Sequence, residues 1–150
     1  MREILFKAKN IATGEWVEGW IVPTMSNTYP DGYRIIDVCG INYDELDYWE
    51  PNFISWKVDK NTICQYTGFN DNHGNKIWEN DLIECKEFSN GYLIKHFLSQ
   101  VEWDDGGTGF AFKDSKHGWA FMDSLTVYEC QVIGNIYDNP ELLKGGGEDE

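Results

Sequence analysis

No stretch of this chain approaches the roughly 20 consecutive apolar residues that a membrane-spanning helix requires. The start, Met1-Arg2-Glu3-Ile4-Leu5-Phe6-Lys7, has no apolar run of signal-peptide length. A cytoplasmic protein with no membrane partner is therefore expected. Proline is scarce, at four residues, while hydrophobic residues make up 41% and aromatics 15% of the 150 residues, so the chain should bury a core rather than stay disordered. Basic residues are few. Twelve Lys and Arg stand against 26 Asp and Glu, a formal net charge of −14 that repels a phosphate backbone and argues against nucleic-acid binding. Residues 35–56 hold Asp37, Asp44, Glu45, Asp47 and Glu50 with no Lys or Arg, and form the expected acidic face.

The short patterns that carry recognisable chemistry are missing too. Cys39, Cys64, Cys85 and Cys130 form no Cys-x-x-Cys pair and sit among apolar or strand-forming neighbours, which reads as buried free thiols rather than metal ligands or a redox site. His73, His96 and His117 fall in no metal motif, and Gly106-Gly107-Thr108-Gly109 lacks the Lys and the following helix of a phosphate loop. No cofactor is expected.

What the chain does have is short runs rich in aromatic and β-branched residues, broken by Gly, Asn and Asp, which predict a mainly β fold with little helix. Residues 4–7 and 16–22 read as a hairpin across a loop in which Gly14 can take a positive φ, with Trp16 and Trp20 on one face. A strand is expected over 33–38, an irregular acidic stretch over 39–57, and an extended segment over 62–67. Residues 68–75 read as a turn. Strands over 81–88 and 92–103 flank Asn90-Gly91, the signal of a tight primed turn, and 109–113, 119–121 and 127–137 complete the set. Five short strands at this spacing suit an SH3-like small barrel. The expected organisation is an N-terminal β-hairpin subdomain over residues 1–60, the barrel over 61–144, and a solvated tail over 145–150. Asn139-Pro140-Glu141 can start one helical turn.

Three blocks, EILFKAKNIATGEWVEGW (3–20), QYTGFNDNHGNKIWENDLI (65–83) and VIGNIYDNPELL (132–143), resemble the YopX family of proteins carried by bacteriophages and prophages of Gram-positive bacteria. The central block is the specific one: Gln65-Tyr66-Thr67-Gly68, then Asp71, Gly74, Ile77, Glu79 and Asp81 stand at the spacing this family shows, and Gln65, Tyr66, Gly68, Asp71, Gly74, Trp78 and Asp81, with Trp16 and Trp20, are the candidate interaction or structural residues. The family usually has Gly where this chain has Asn80, and both residues tolerate a positive φ. The resemblance implies a phage-derived, mainly β protein and brings no catalytic residue with it.

The residues from Asn70 to Asn75 invite a calcium-loop reading, but with Gly74 at the sixth position Phe69 falls at the first and Asn80 at the twelfth, where carboxylates are required. A turn is expected instead. Asp71, Glu79 and Asp81 offer carboxylates for a hydrolase or a metal-dependent enzyme, although nothing in their spacing makes them converge, and the simplest role for Asp81 is to accept backbone N–H bonds after a turn. Three function classes follow. The first is a non-catalytic protein-binding or self-assembling module, the second an enzyme built around Asp71 and Asp81, the third an acidic DNA mimic that occupies a host nucleic-acid-binding protein. The first is preferred: 23 aromatic side chains exceed what a slim barrel easily hides, so a protein partner, either a host protein or a second copy in a homo-oligomer, is expected, with Trp16 and Trp20 as the contact.

Overall fold

The computed structural model describes residues 3–23, 32–37, 55–106, 109–114, 118–121 and 128–145. Cys39, His117, most of the acidic stretch and tail residues 146–150 lie outside the described residues. Two compact units divide the chain, Met1–Tyr66 and Thr67–Glu150.

In the first unit β1 (Phe6–Lys9) and β2 (Trp16–Pro23) form the expected hairpin, with Lys9 opposite Trp16 and Phe6 opposite Gly19. Gly14 stands at φ +73°, and Asn10 shapes the loop by accepting the Ala12 N–H at 2.9 Å. β3 (Tyr33–Ile36) pairs with β2, and β4 (Ser55–Val58) with β3. β4 corrects the sequence reading, which left 39–57 irregular: Ser-Trp-Lys-Val is a strand-forming run whose pattern is too short to stand out beside Pro51. Thr62 belongs to a single 3-10 turn (Lys60–Thr62) capped by the Asp59 side chain, so the extended segment starts two residues later than expected. That segment, β5 (Cys64–Asn70), opposes β1 through Cys64 and Gln65, and the strand order of the unit is β4-β3-β2-β1-β5. A bridge from Asn10 to Val58 ties β1 to β4 beyond the ladder. Ala8, Ile35 and Val58 make the core, packed by Val17, Trp56 and Ile63.

In the second unit the end of β5 neighbours β6 (Lys76–Trp78), a short strand to which the sequence reading, with its turn ending at residue 75, assigned no element. A five-stranded antiparallel sheet follows in the order β10-β9-β8-β7-β11, with β7 (Asp81–Ser89), β8 (Tyr92–Asp104), β9 (Gly109–Asp114), β10 (Gly118–Phe121) and β11 (Glu129–Asn135). Asn90 and Gly91 both take positive φ, 51° and 80°, as a primed turn requires. Ile77, Ile83, Cys85, Val101, Phe110, Phe112 and Cys130 form the core, against which Phe97 and Tyr128 pack edge to face with centroids 5.6 Å apart. The mainly β expectation holds, with one short α-helix among the described residues, α1 (Glu141–Gly145). Among the described residues the five strands form no closed barrel: β10 and β11 stand at opposite ends of the sheet order.

Candidate functional site

The central sequence block builds a turn that reaches a distant strand. Between β5 and β6 the chain reverses over five residues, and Asp71 organises the reversal. Its Oδ1 accepts the N–H of His73 at 2.9 Å and of Asn75 at 2.8 Å, while Oδ2 accepts the Asn75 amide Nδ2 at 3.2 Å. Gly74 closes the turn at φ +81°, donating to the Asp71 carbonyl at 3.0 Å. A Cβ there would meet nothing within 4 Å, so glycine is needed for its backbone conformation alone.

The same carboxylate also holds β11. Oδ2 accepts the Val132 N–H at 3.0 Å, and Asn72 clasps Cys130 at both backbone groups: the Asn72 N–H donates to its carbonyl at 3.0 Å and Asn72 Oδ1 accepts its N–H at 3.3 Å. β11 is the last strand of its sheet, so the turn supplies partners to an edge that would otherwise be open. Burial of Asp71 works to raise its pKa, but the hydrogen bonds from Val132, Asn75 and His73 outweigh it and hold the carboxyl below its ordinary 3.8. A general acid needs the opposite displacement. Asp71 is an ionised anchor whose oxygens are occupied by four donors.

Asp81 plays a smaller version of this part. It is buried, and its Oδ2 accepts the Trp78 N–H at 2.8 Å, closing the tight turn in which Asn80 sits at φ +67°. Asn80 does more than tolerate that conformation. Its N–H donates to the Val101 carbonyl at 2.7 Å, its carbonyl accepts from Ile136 at 3.1 Å, its Nδ2 donates to the Tyr137 hydroxyl at 3.1 Å, and its Oδ1 accepts from Gln100 Nε2 at 3.1 Å. The C-terminal block meets the central one here. Asn135 accepts the N–H groups of Tyr137 and Asp138, and a Cβ on Gly134 would collide with the Asn139 side chain.

Of the singled-out residues, Gly68, Asp71, Gly74, Trp78 and Asp81 thus lie in the second unit, where Gly68 at φ +88° falls inside β5 rather than in the turn. Gln65, Tyr66, Trp16 and Trp20 lie in the first. Tyr66 is buried and donates its N–H to the Leu5 carbonyl at 2.8 Å; Gln65 is half-buried opposite Phe6. Trp16 is half-buried under the Lys7 and Lys9 ammonium groups, 4.6 and 5.4 Å from its ring centroid, whereas Trp20 is 44% exposed. Among the described residues no three His, Cys, Asp or Glu side chains group so that they could hold a metal ion, and no helix is long and apolar enough to cross a membrane.

The sequence reading did not single out the far end of the β7–β8 hairpin. β11 pairs with β7 only as far as Lys86, and β9 pairs with β8 only over Val101–Asp104, so residues 87–95 form a two-stranded ribbon beyond both described neighbours. Phe88, Tyr92, Leu93 and Ile94 are exposed on it, Tyr92 at 75% and Ile94 at 57%, with Phe88 directly opposite Leu93. The signal was present as three apolar residues in a row after Asn90-Gly91, too many for a strand with one solvated face.

The family model described as YopX protein matches residues 8–144. No curated protein matches the chain. Among solved structures, the crystal structure of protein EF1440 from Enterococcus faecalis is similar, at 20% identity over 95% of this chain and 99% of that one, with a TM-score of 0.53, which is a likeness of fold.

Proposed function

This chain belongs to the YopX family, and on that premise we propose that it is a phage- or prophage-derived accessory protein that acts by binding protein, assembling with further copies of itself. The observation that carries this reading is the ribbon tip. Phe88, Tyr92, Leu93 and Ile94 expose apolar surface together on a two-stranded element that has little stability of its own and gains from being covered. Lys86 is paired with Glu84 at 3.4 Å and Lys95 stands opposite Glu87, so the charges beside the tip are balanced and the apolar side chains are what a second copy would cover. The motif carboxylates support a non-catalytic role, since Asp71 is fully occupied as an anchor. Trp20 adds a further exposed aromatic, on the N-terminal hairpin, the contact first expected from sequence.

Light scattering at 0.15 M salt tests the reading, because at that ionic strength the repulsion between like-charged chains is screened beyond about 8 Å. The expected mass is at least two chains, falling to one in Leu93→Asp/Ile94→Asp with an unchanged circular dichroism spectrum. A single-chain mass for the unmodified protein at high concentration overturns self-assembly.

A further inference from the structure

We propose that Cys85 and Cys130 form a dithiol that closes reversibly into a disulfide, clamping the edge strand β11 to β7 when the protein meets a small disulfide oxidant. The two residues are 45 apart in the chain and stand directly opposite each other in the β7–β11 register. Both are buried, at 0% and 2% exposure, neither is in a disulfide, and their Sγ atoms are in contact at 2.8 Å.

The backbone explains the closeness. In an antiparallel ladder, opposed residues alternate between sites that exchange hydrogen bonds and sites that do not, and at the second kind the Cα atoms approach to about 4.5 Å and the side chains are nearest. The N–H and C=O of Cys130 both turn away from β7 to bond Asn72. The pair therefore occupies a non-hydrogen-bonded site, whose spacing falls within the roughly 4.4–6.8 Å that disulfides span. Bond formation asks the sulfurs to approach by less than about 1 Å further.

Ile83, Val101, Phe110 and Phe112 share the core with the two cysteines, and their burial leaves a dissolved oxidant no path to either sulfur in the closed fold. Reaction begins when the edge strand opens. The groups that hold that edge are Asn72, at both backbone groups of Cys130, and Asp71, at the Val132 N–H. The 71–75 turn is thus the gate to the dithiol. On opening, one cysteine loses its proton and its thiolate attacks a sulfur of the oxidant RS–SR. A protein–SR mixed disulfide forms, the RS–SR bond breaks, and RS⁻ leaves to take up a proton. The second cysteine, as thiolate, then attacks the protein sulfur of the mixed disulfide and expels the second RS⁻, which is protonated in turn. The protein loses two electrons and two protons, and RS–SR becomes two RSH.

The test uses the full chain in glutathione buffers graded from reducing to oxidising, one series on folded protein and one refolded from denaturant in the same buffers. Each sample is alkylated and digested without reduction for mass spectrometry. The expected product is a peptide pair joining Cys85 to Cys130, two hydrogens lighter than the reduced pair, with Cys39 and Cys64 still alkylated. The oxidised form should melt about 5–10 °C higher, an increase that reduction abolishes and that Cys130→Ser never shows. Asn72→Ala should speed closure several-fold in the folded series and give the same product. Recovery of Cys85 and Cys130 fully alkylated from the most oxidising refolding buffer, or a mixture in which their link is no commoner than links to Cys39 or Cys64, overturns the proposal.

Discussion

Replacing Asp71 by Ala removes the acceptor for three backbone N–H groups and one side-chain amide at once. A hydrogen bond to a charged group contributes about 1.5–3 kcal/mol in a protected setting. His73 and Asn75 are exposed, so water replaces most of what they lose, whereas the half-buried Val132 N–H on β11 is left facing a cavity. The bonds also share one carboxylate and cannot be summed. The expected loss is about 2–4 kcal/mol, read as a lower urea midpoint at constant slope, with faster amide exchange at Val132 and Cys130 as the local signature. Asp71→Asn keeps one acceptor oxygen and should lose about half as much. The pH dependence fixes the charge as the cause. Because the folded pKa is depressed below 3.8, the stabilisation is fully present above the unfolded value and is lost as pH falls through the folded pKa. The gap between the unmodified protein and Asp71→Asn should therefore be constant near neutrality and close below about pH 4. A midpoint change worth less than about 0.5 kcal/mol, or a gap that persists unchanged into acid, refutes the anchoring role.

Gly74→Val places a β-branched residue at φ +81° in open space and should cost about 1–3 kcal/mol from backbone strain alone, measured by the same unfolding curve; an unchanged midpoint would show that the turn relaxes. Gly19→Ala drives a Cβ into the Ile36 carbonyl oxygen where β2 meets β3, and should cost about 2–3 kcal/mol with exchange loosened across Tyr33–Ile36, an effect absent at the open Gly14 position under Gly14→Asn. Asn80→Gly keeps the positive φ but removes the side-chain bonds to Tyr137 and Gln100, so it should lose about 1–2 kcal/mol, visible as freer exchange at the Ile136 amide.

Features encoded by neighbours in sequence were legible, and features encoded by partners across strands were not. Asn90-Gly91, Gly14 and Gly74 announced their turns because the conformation each requires is a property of the residue itself. Asp81 could be read as a backbone acceptor because its donor, Trp78, is three residues away. The anchoring of β11 by Asp71 depends on a donor 61 residues distant, and no local pattern marks Val132 as that donor. The same holds for Cys85 and Cys130, whose spacing excluded a Cys-x-x-Cys reading while their register puts them face to face. β4 and β6 escaped notice for a different reason: at four and three residues they are too short for alternation to separate them from loop.

The residues that carry the family resemblance and the residues that offer a surface are different residues, and this separation bears on where function resides. Asp71, Asn80, Asp81, Asn135 and Asn139 direct their polar groups inward, to turns and to the edge of β11, and among the described residues every buried side-chain nitrogen and oxygen has a hydrogen-bond partner. Groups committed in this way fix the fold and have little left for a ligand. The exposed apolar residues Phe88, Tyr92, Leu93 and Ile94 lie outside all three sequence blocks, on a ribbon whose register is set by a tight turn but whose side chains support no core. A ribbon freed from packing can change its side chains at little cost to folding, so its chemistry is open to selection by a partner. The motifs accordingly belong to the scaffold, and the exposed apolar side chains belong to the ribbon.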